Sequence, residues 1–385
     1  MPGKKMFYFE KAVASDMREG LRDWRSSAPE MGVFAILPEA ERDHVATLQA
    51  VCLEENIPLI GAIFPAIVVN EEFQTHGLWL LCLDEMPPYA LLGDLKNPDV
   101  DAAACIAAAV GGHLPNSGDT MLFMVFDAMI PNISTILDGL YLELADRVNY
   151  AGVNAGSETF QPMPCLFDSK TVISDGVLLL VLKNSHGAIL EHGYKAPEHL
   201  VTSTSTEGNR IISIDWRPAF EVYREIIQTQ FGVEVTAENF YRYASHFPFG
   251  IVRADDEVLV RIPVAVESDG SVFCVGEVPA NAMLTLLQAQ QVDSTLTVEN
   301  LLDEMTRLNG DLSGRELLLF YCAGRRMYLN ERANGELAEV ARLSKAQQIA
   351  GALSLGEIGS SRIRGYPLFH NATLVGSLWG APHEP

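Results

Sequence analysis

The order strand, helix, strand, strand occurs three times in this chain, and no other feature constrains its fold as strongly. The three stretches run from Gly32 to Leu83, from Thr120 to Leu182 and from Leu317 to Trp379. In each stretch, an apolar run typical of a buried strand precedes a segment whose apolar residues recur at helical spacing, and two further strand-like runs follow. Two strands joined through one helix are normally parallel, with a right-handed crossover. Each stretch therefore predicts a βαββ unit, whether the recurrence reflects duplication or only a common order of elements.

The length of the chain predicts two domains, because 385 residues exceed the size at which a single hydrophobic core usually stops growing. We place the boundary at Asp215-Trp216, just ahead of a predicted helix, so that the domains comprise residues 1–215 and 216–385. The predicted fold class is α+β (mixed α/β). Its two domains have mixed sheets built from βαββ units, with antiparallel strands and flanking helices.

The charge and composition argue against several classes of partner. Hydrophobic residues make up 48% of the chain and charged residues 20%, as in an ordinary globular protein. The formal net charge of −23 would repel nucleic-acid backbones and anionic membrane surfaces, so neither is an expected partner. The longest apolar run, from Ile57 to Val69, is too short to span a bilayer and is interrupted by proline.

The N-terminus and the cysteines predict a cytoplasmic protein. The chain reaches Glu10 before the apolar core of a signal peptide can form, so export is not expected. The six cysteines contain no Cys-x-x-Cys spacing and lie mostly in apolar surroundings. Both properties are typical of reduced thiols in the cytoplasm.

Polar side chains follow the strands of the third unit where each strand ends. Arg325 comes just after the first strand, Glu357 follows the second, and His370 lies in the returning segment. Parallel strands end at the same edge of a sheet, and a returning segment that folds antiparallel onto the second strand begins at that edge too. Ligands in open α/β sheets usually bind outside the carboxyl ends of the strands. We therefore expect a ligand-binding site here, composed of Arg325, Glu357, His370, Asn371 and Cys322.

The charged residues of this site also have structural alternatives. The Arg325 guanidinium could grip a ligand carboxylate with two parallel hydrogen bonds, or it forms an internal ion pair with Glu336 or Glu357. Glu357 could receive a ligand ammonium group, or it is a turn carboxylate on a glycine-rich bend. If both contact the ligand, they would suit a zwitterionic amino acid.

His370 and Cys322 raise two further possibilities. A buried histidine is either a structural hydrogen-bonding residue or a metal ligand, and His370 could bind haem if its aromatic neighbours form an apolar cavity. Cys322 is either a core thiol or a nucleophile activated by His370. No third residue that would orient such a pair is identifiable, so we expect no enzymatic activity and assign no catalytic residue. His186, His192 and His199 form only a weak candidate metal site.

A series of short motifs runs through both predicted domains. They are Ile60-Gly61-Ala62, Ala151-Gly152 through Glu158, Ile214-Asp215-Trp216-Arg217-Pro218-Ala219, Arg261-Ile262-Pro263-Val264, Phe320-Tyr321-Cys322-Ala323-Gly324-Arg325, Glu336, Gly356-Glu357-Ile358 and His370-Asn371-Ala372-Thr373. In this order and spacing the chain resembles the FIST family. These are intracellular sensory proteins of bacteria and some eukaryotes, with a FIST N domain followed by a FIST C domain. The resemblance covers most of the chain.

The resemblance implies a role in signal transduction. The implied ligand is a small molecule, for which amino acids are the family's usual proposal, and the signal would pass to a separate effector protein such as a histidine kinase. One branch of the family resembles haem-binding nitric-oxide sensors that regulate a partner kinase or a cyclic-di-nucleotide enzyme. In that branch His370 would be the haem ligand. Two turns depart from the family pattern, at Ser354-Leu355-Gly356 and Ile63-Phe64-Pro65, and they leave the ligand's identity open.

Overall fold

The computed structural model describes residues 4–114, 120–183, 185, 187–195, 199–253, 257–359 and 365–379. The helices within these residues are α1 (Ala14–Ser27), α2 (Val45–Glu54), α3 (Ala102–Gly111), α4 (Ile133–Leu144), α5 (Ala219–Phe231), α6 (Phe240–Ala244), α7 (Ser294–Asn309), α8 (Ala323–Leu329) and α9 (Arg332–Ser344). In this part of the chain, no helix has the length and apolar character that crossing a membrane requires.

The strands are short, and many of them are buried on both faces. In chain order they are β1 (Met6–Phe9), β2 (Gly32–Pro38), β3 (Leu59–Phe64), β4 (Ile67–Val69), β5 (Glu72–Gln74), β6 (Leu78–Leu83), β7 (Tyr89–Leu92), β8 (Thr120–Asp127), β9 (Asn149–Ala155), β10 (Leu166–Asp168), β11 (Val172–Ile173), β12 (Val177–Lys183), β13 (Ile189–Glu191), β14 (Val201–Glu207), β15 (Arg210–Ile214), β16 (Arg217–Pro218), β17 (Phe249–Val252), β18 (Val258–Arg261), β19 (Pro263–Val266), β20 (Val272–Cys274), β21 (Met283–Leu286), β22 (Glu316–Cys322), β23 (Gln348–Ser354), β24 (Glu357–Gly359), β25 (Leu368–His370) and β26 (Leu374–Leu378).

The described strands form four sheets, and the predicted two-domain, mixed α+β fold is confirmed. Sheet 1 has the order β1-β6-β2-β3-β10-β11, sheet 2 the order β25-β24-β9-β8-β12-β7, and sheet 3 the order β13-β26-β22-β23-β4-β5. Sheet 4 has the order β18-β17-β21-β14-β15-β20-β19, with β16 also paired to β15. Sheets 2, 3 and 4 each contain strands from both sides of Asp215-Trp216. The exact domain boundary stays a prediction.

Each predicted βαββ unit has the predicted parallel pair. The two strands that flank the helix are parallel in all three units, namely β2 with β3, β8 with β9 and β22 with β23. The returning strand, however, pairs antiparallel with the first strand of its unit, as β6 with β2, β12 with β8 and β26 with β22. The expectation that the third unit returns onto its second strand is therefore wrong. The physical reason is that β4 already occupies the free edge of β23.

The three units exchange strands in a cycle. The strand that follows β3 in the first unit, β4, pairs with β23 of the third unit. The strand that follows β23, β24, pairs with β9 of the second unit, and the strand that follows β9, β10, pairs with β3 of the first. Every exchanged strand is antiparallel to the strand that receives it. The second strand of each unit therefore lies between a strand of its own unit and one from a neighbour.

A glycine lies opposite each exchanged strand. These glycines are Gly61 in β3, Gly152 in β9 and Gly351 in β23. A methyl group added to any of them would lie 2.5 Å or less from a carbonyl oxygen of the parallel neighbour strand. Real side chains do not tolerate such a distance. The close approach of three backbones thus explains why the same residue type occurs in all three strands.

The apolar faces of the three units meet in one core. The ring of Phe34 lies 6.2 Å from that of Phe123, which stacks on Phe320 with 5.9 Å between ring centroids. Trp379 packs beside Phe34 at 6.0 Å. The three phenylalanines come from the first strands of the three units, so this shared core fixes the positions at which those strands end.

Candidate functional site

The edge at which β22 and β23 end holds the residues predicted for the site. One tight turn of the returning segment touches most of them, with Ala372 at its centre. The amide of Ala372 donates to Cys322 Sγ at 3.0 Å, and its carbonyl accepts from Arg325 Nη1 at 3.3 Å. Glu357 lies directly opposite His370 in the β24–β25 pair. Asn371, between His370 and Ala372, completes the set, so the structure brings all five residues together.

The Arg325 guanidinium is occupied by an internal ion pair. Its Nε donates to Glu336 Oε2 at 2.8 Å and its Nη2 to Oε1 at 2.6 Å. The two side chains are 0% and 1% exposed. Nη1 donates to the carbonyl oxygens of His192 and Ala372, and Glu336 also accepts from the Tyr321 hydroxyl. These contacts match the structural alternative for Arg325, an internal ion pair. Glu336, which bonds to both Arg325 and Tyr321, also ties α9 to the end of β22.

Glu357 is a buried carboxyl group held by hydroxyls. Its Oε1 accepts from Ser354 Oγ and its Oε2 from Thr373 Oγ1, both at 2.6 Å. Burial raises its pKa to about 7, although the hydroxyl hydrogen bonds act in the opposite direction. The group therefore exchanges its proton near neutral pH, inside the protein.

His370 is enclosed, and neither of its ring nitrogens has a hydrogen-bond partner among the described residues. Burial, together with nearby cationic groups, lowers its pKa well below the usual range, so the ring is neutral at pH 7. The neighbouring His192 is satisfied: Nδ1 accepts from the Tyr194 amide at 2.9 Å, and Nε2 lies 3.1 Å from the Val258 carbonyl, to which it donates. His370 is thus an unusual buried histidine with unused hydrogen-bonding capacity.

The Cys322 thiol lacks the environment of a nucleophile. Burial raises its pKa, and the nearby Glu357 carboxylate raises it further. A thiol in such surroundings keeps its proton at neutral pH and reacts slowly. No hydrogen bond joins it to His370 among the described residues. The expectation that the chain is not an enzyme remains a prediction.

Two of the five predicted residues, Cys322 and Asn371, line a narrow cleft of about 40 Å³, which we call the strand-end cleft. Arg325, Glu357 and His370 are not among its lining residues. The remaining lining residues are Glu158, Phe160, Tyr241, Ala244, Ser245, Ile262, Pro263, Val264, Val275, Ala323, Gly324, Met327 and Leu355.

The strand-end cleft combines apolar walls with a fixed amide. The Asn371 side chain accepts from the Ile262 amide at 3.2 Å and donates to the His370 carbonyl at 3.0 Å. These two bonds fix its orientation, and its amide nitrogen carries a second hydrogen. Glu158 is exposed, so it places a negative charge at the rim. The arrangement suits a small molecule with an apolar part and one or two polar groups.

Sequence reasoning missed most of the cleft wall. Tyr241 lies in α6, and the segment 262–264 passes from β18 into β19, far from the third unit in sequence. Their apolar side chains look like ordinary core residues. Glu158 offered a signal, because it lies as far after Gly152 of the second unit as Glu357 lies after Gly351 of the third. The equivalence of the second and third units would have identified it.

The described residues contain no group of three or more histidine, cysteine, aspartate or glutamate side chains that could hold a metal ion. Of the three histidines considered as a weak metal site, His186 lies outside the described residues. His192 makes two hydrogen bonds within the protein.

Two family models match successive parts of the chain. The model of the FIST N domain matches residues 32–217, and the model of the FIST C domain matches residues 219–360. No curated protein matches the chain.

Proposed function

The chain belongs to the FIST family, and from this premise we propose that it binds a small ligand in the strand-end cleft and passes the signal to a separate effector protein. FIST domains are sensory, signal-transduction domains that bind small ligands. The observation that carries the proposal is the composition of the cleft. Glu158 and Phe160 come from the FIST N match, whereas Tyr241 and Ile262 come from the FIST C match. A ligand there would contact both domains at once.

We propose an amino acid with an apolar side chain as the ligand. The walls formed by Ile262, Val264 and Leu355 favour an apolar group, and the Asn371 amide and the Glu158 carboxylate could bind the polar end. Arg325 and Glu357, predicted as the zwitterion's partners, make other bonds. A cleft of about 40 Å³ holds no more than a few waters, so binding requires side chains to move. Tyr241 is 56% exposed, so its side chain is well placed to move when a ligand binds.

The test is a thermal-shift screen of amino acids followed by calorimetric titration. A ligand that binds only the folded state raises the melting temperature in proportion to ln(1 + [L]/Kd). We expect a leucine-like amino acid to raise it, and Val264→Phe, which fills the cleft, to abolish the shift. Val266→Phe is the matched control, because Val266 is half-buried on the same strand but does not line the cleft. The proposal is contradicted if no amino acid at millimolar concentration raises the melting temperature. It is also contradicted if Val264→Phe and Val266→Phe lose the thermal shift equally.

The haem alternative rests on His370. Its neutral ring and two unpartnered nitrogens are the features that favour it, since iron binds the neutral imidazole. Against it, the side chain is enclosed at 1% exposure, and haem needs an apolar cavity beside its ligand. The described residues around His370 therefore do not fit haem as they stand. We expect no Soret band after haem reconstitution; a band that disappears in His370→Ala would favour the alternative.

We propose a cytoplasmic location and a separate effector protein such as a histidine kinase. The free cysteines support a reducing compartment. Co-purification from cells with and without the amino-acid ligand tests the partner. An effector should change its association with the wild-type protein and not with Val264→Phe.

A further inference from the structure

A second cavity lies apart from the strand-end cleft, between α4, sheet 4 and β25. Its volume is about 400 Å³. Two arginines, Arg253 and Arg261, face it, and apolar side chains such as Leu259, Leu368 and Phe369 form much of its wall. We call it the arginine cavity. At this size it could enclose a small organic molecule.

Arg261 is a buried cation, and within the described part of the chain all its hydrogen bonds go to neutral groups. Arg261 is only 2% exposed. Nε donates to the Glu277 carbonyl at 2.9 Å, and Nη1 donates to the carbonyls of Val260 at 3.1 Å and Phe369 at 2.8 Å. Of the described groups, Nη2 reaches only Ser134 Oγ, at 3.4 Å. Burial lowers the pKa of Arg261 to about 10, which reflects the cost of keeping this charge away from water.

Arg325 shows how the same chain compensates a buried arginine elsewhere. There, Glu336 accepts two parallel hydrogen bonds from the guanidinium. Buried charges are normally paired in this way, because an uncompensated charge is strongly destabilising. No carboxylate makes the equivalent ion pair with Arg261 among the described residues. An anion that binds in the cavity would supply the missing charge.

The negative charge of Glu277 acts to raise the pKa of Arg261, but its carboxylate makes its hydrogen bonds elsewhere. Oε2 accepts from the Thr135 amide at 3.0 Å, and Oε1 accepts from Thr135 Oγ1 at 2.5 Å, at the start of α4. This carboxylate caps the helix, whose N-cap residue Asn132 makes no capping hydrogen bond with its side chain. Glu277 thus satisfies the helix end and leaves the Arg261 guanidinium to face the cavity.

Arg253 presents a second guanidinium to the same space. It stacks over the Tyr366 ring, 5.9 Å from the centroid, and the Tyr366 hydroxyl donates to Asp138 at 2.7 Å. The Nε of Arg253 is buried and has no hydrogen-bond partner among the residues that the structure describes. A buried donor without a partner is rare in proteins and indicates a missing acceptor. Two arginines with unused hydrogen-bonding capacity therefore line one cavity.

We propose that the arginine cavity binds a small organic monocarboxylate. The carboxylate would accept hydrogen bonds from Arg253 and Arg261, and the apolar body would pack against Leu259 and Phe369. Guanidinium groups match the planar, two-oxygen shape of a carboxylate. The acidic side chains of Asp138 and Glu277 at the same cavity disfavour a doubly charged ligand such as phosphate. This site is separate from the strand-end cleft and does not rest on the function proposed for that cleft.

Calorimetric titration of the full chain tests the site, with benzoate as the probe and inorganic phosphate for comparison. We expect saturable binding of benzoate and much weaker binding of phosphate. Arg253→Gln should weaken benzoate binding by about tenfold or more, because a charge-assisted hydrogen bond is lost. Arg253 is half-buried, so the variant is expected to fold.

Arg242→Gln is the matched control, because Arg242 also stacks on a tyrosine ring, that of Tyr243 at 5.6 Å, but does not line the cavity. It should leave benzoate affinity within about twofold of wild type. Val264→Phe, which fills the strand-end cleft, should also leave it unchanged. The proposal is overturned if benzoate does not bind saturably, if Arg253→Gln binds it normally, if phosphate binds as tightly, or if Val264→Phe abolishes binding.

Discussion

At the scale of single residues, two buried carboxyl groups differ in what surrounds them. Glu336 faces a guanidinium and accepts two hydrogen bonds from Arg325. Glu357 faces two hydroxyls, and its raised pKa reflects burial without a paired cation in contact. The two glutamates therefore affect stability in different ways. Glu336 stabilises the fold by pairing with Arg325, and Glu357 makes the free energy of unfolding depend on pH.

We predict that Glu336→Gln lowers the free energy of unfolding by about 3 kcal/mol or more, because it leaves the Arg325 guanidinium buried without its counter-charge. Urea denaturation at pH 7 measures the change. Glu339→Gln is the control on the same helix, since Glu339 pairs with Arg342 at the surface and its loss should change stability little. If the two substitutions lower the free energy of unfolding equally, the buried ion pair contributes no more to stability than the surface pair.

The second residue-scale prediction concerns pH. In the folded protein Glu357 keeps its proton up to about pH 7, whereas the ordinary pKa of a glutamate side chain is 4.5. Between these values the folded state binds more protons than the unfolded state, so the contribution of Glu357 to stability falls as pH rises from 4.5 to about 7. The loss amounts to about 3 kcal/mol at most.

Glu357→Gln should remove this dependence, because the amide stays neutral and can still bond to the Ser354 and Thr373 hydroxyls. Urea unfolding at several pH values between 5 and 8 measures the free energy of unfolding of the wild-type protein and of Glu357→Gln. We expect the variant to gain stability relative to wild type as pH rises and the difference to level off above about pH 7. A difference that stays constant with pH would mean that Glu357 is ionised throughout.

Part of the candidate site followed from the sequence. The parallel βαβ crossover was enough to bring Arg325, Glu357 and Cys322 to one edge, since it depends only on local connectivity. The structural partner of Arg325 could not be chosen between Glu336 and Glu357, because the choice depends on how the helices pack. That Tyr241 and the segment 262–264 line the same cleft as Cys322 was not predictable, because it depends on long-range packing.

At the scale of elements, the exchange of strands explains the glycines of the second strands. Gly351 is the tightest case, because an added Cβ would lie 1.7 Å from the Leu319 carbonyl oxygen. The three βαββ units and their parallel pairs were predictable from hydrophobic periodicity. The cyclic exchange was not, because the exchanged strands β4, β10 and β24 have only three residues each. Segments this short carry no periodic signal.

We predict that Gly351→Ala lowers the free energy of unfolding by about 3 kcal/mol or more, since the parallel strands must move apart. The matched control is Gly335→Ala in α9, where an added Cβ meets nothing within 4 Å. In this exposed helical position alanine should raise stability by about 1 kcal/mol. Thermal and urea unfolding compare the two. If both alanines stabilise the protein, the close approach at β23 is not as tight as the backbone geometry indicates.

At the scale of the whole molecule, the two halves of the chain depend on each other for strand partners. Sheet 3 takes β4, β5 and β13 from residues before the predicted boundary, and sheet 2 takes β24 and β25 from residues after it. The shared core contains rings from both halves, such as Phe123 and Phe320. Two sequence domains therefore share one folded body, which places the strand-end cleft where both contribute residues.

This arrangement predicts that neither half folds alone. A fragment of residues 1–217 would separate β4 from β23, leave β13 without its partner β26 and leave Phe123 without its neighbour Phe320. A fragment of residues 219–385 would separate β24 from β9. Unpaired edges and exposed apolar surface promote aggregation. We expect each fragment to be insoluble or unfolded by circular dichroism, the two together to reconstitute a folded complex, and the full chain to unfold in one calorimetric transition. Two separate transitions, or a fragment that folds with native hydrogen-exchange protection, would show instead that the predicted boundary at Asp215-Trp216 separates independent folding units.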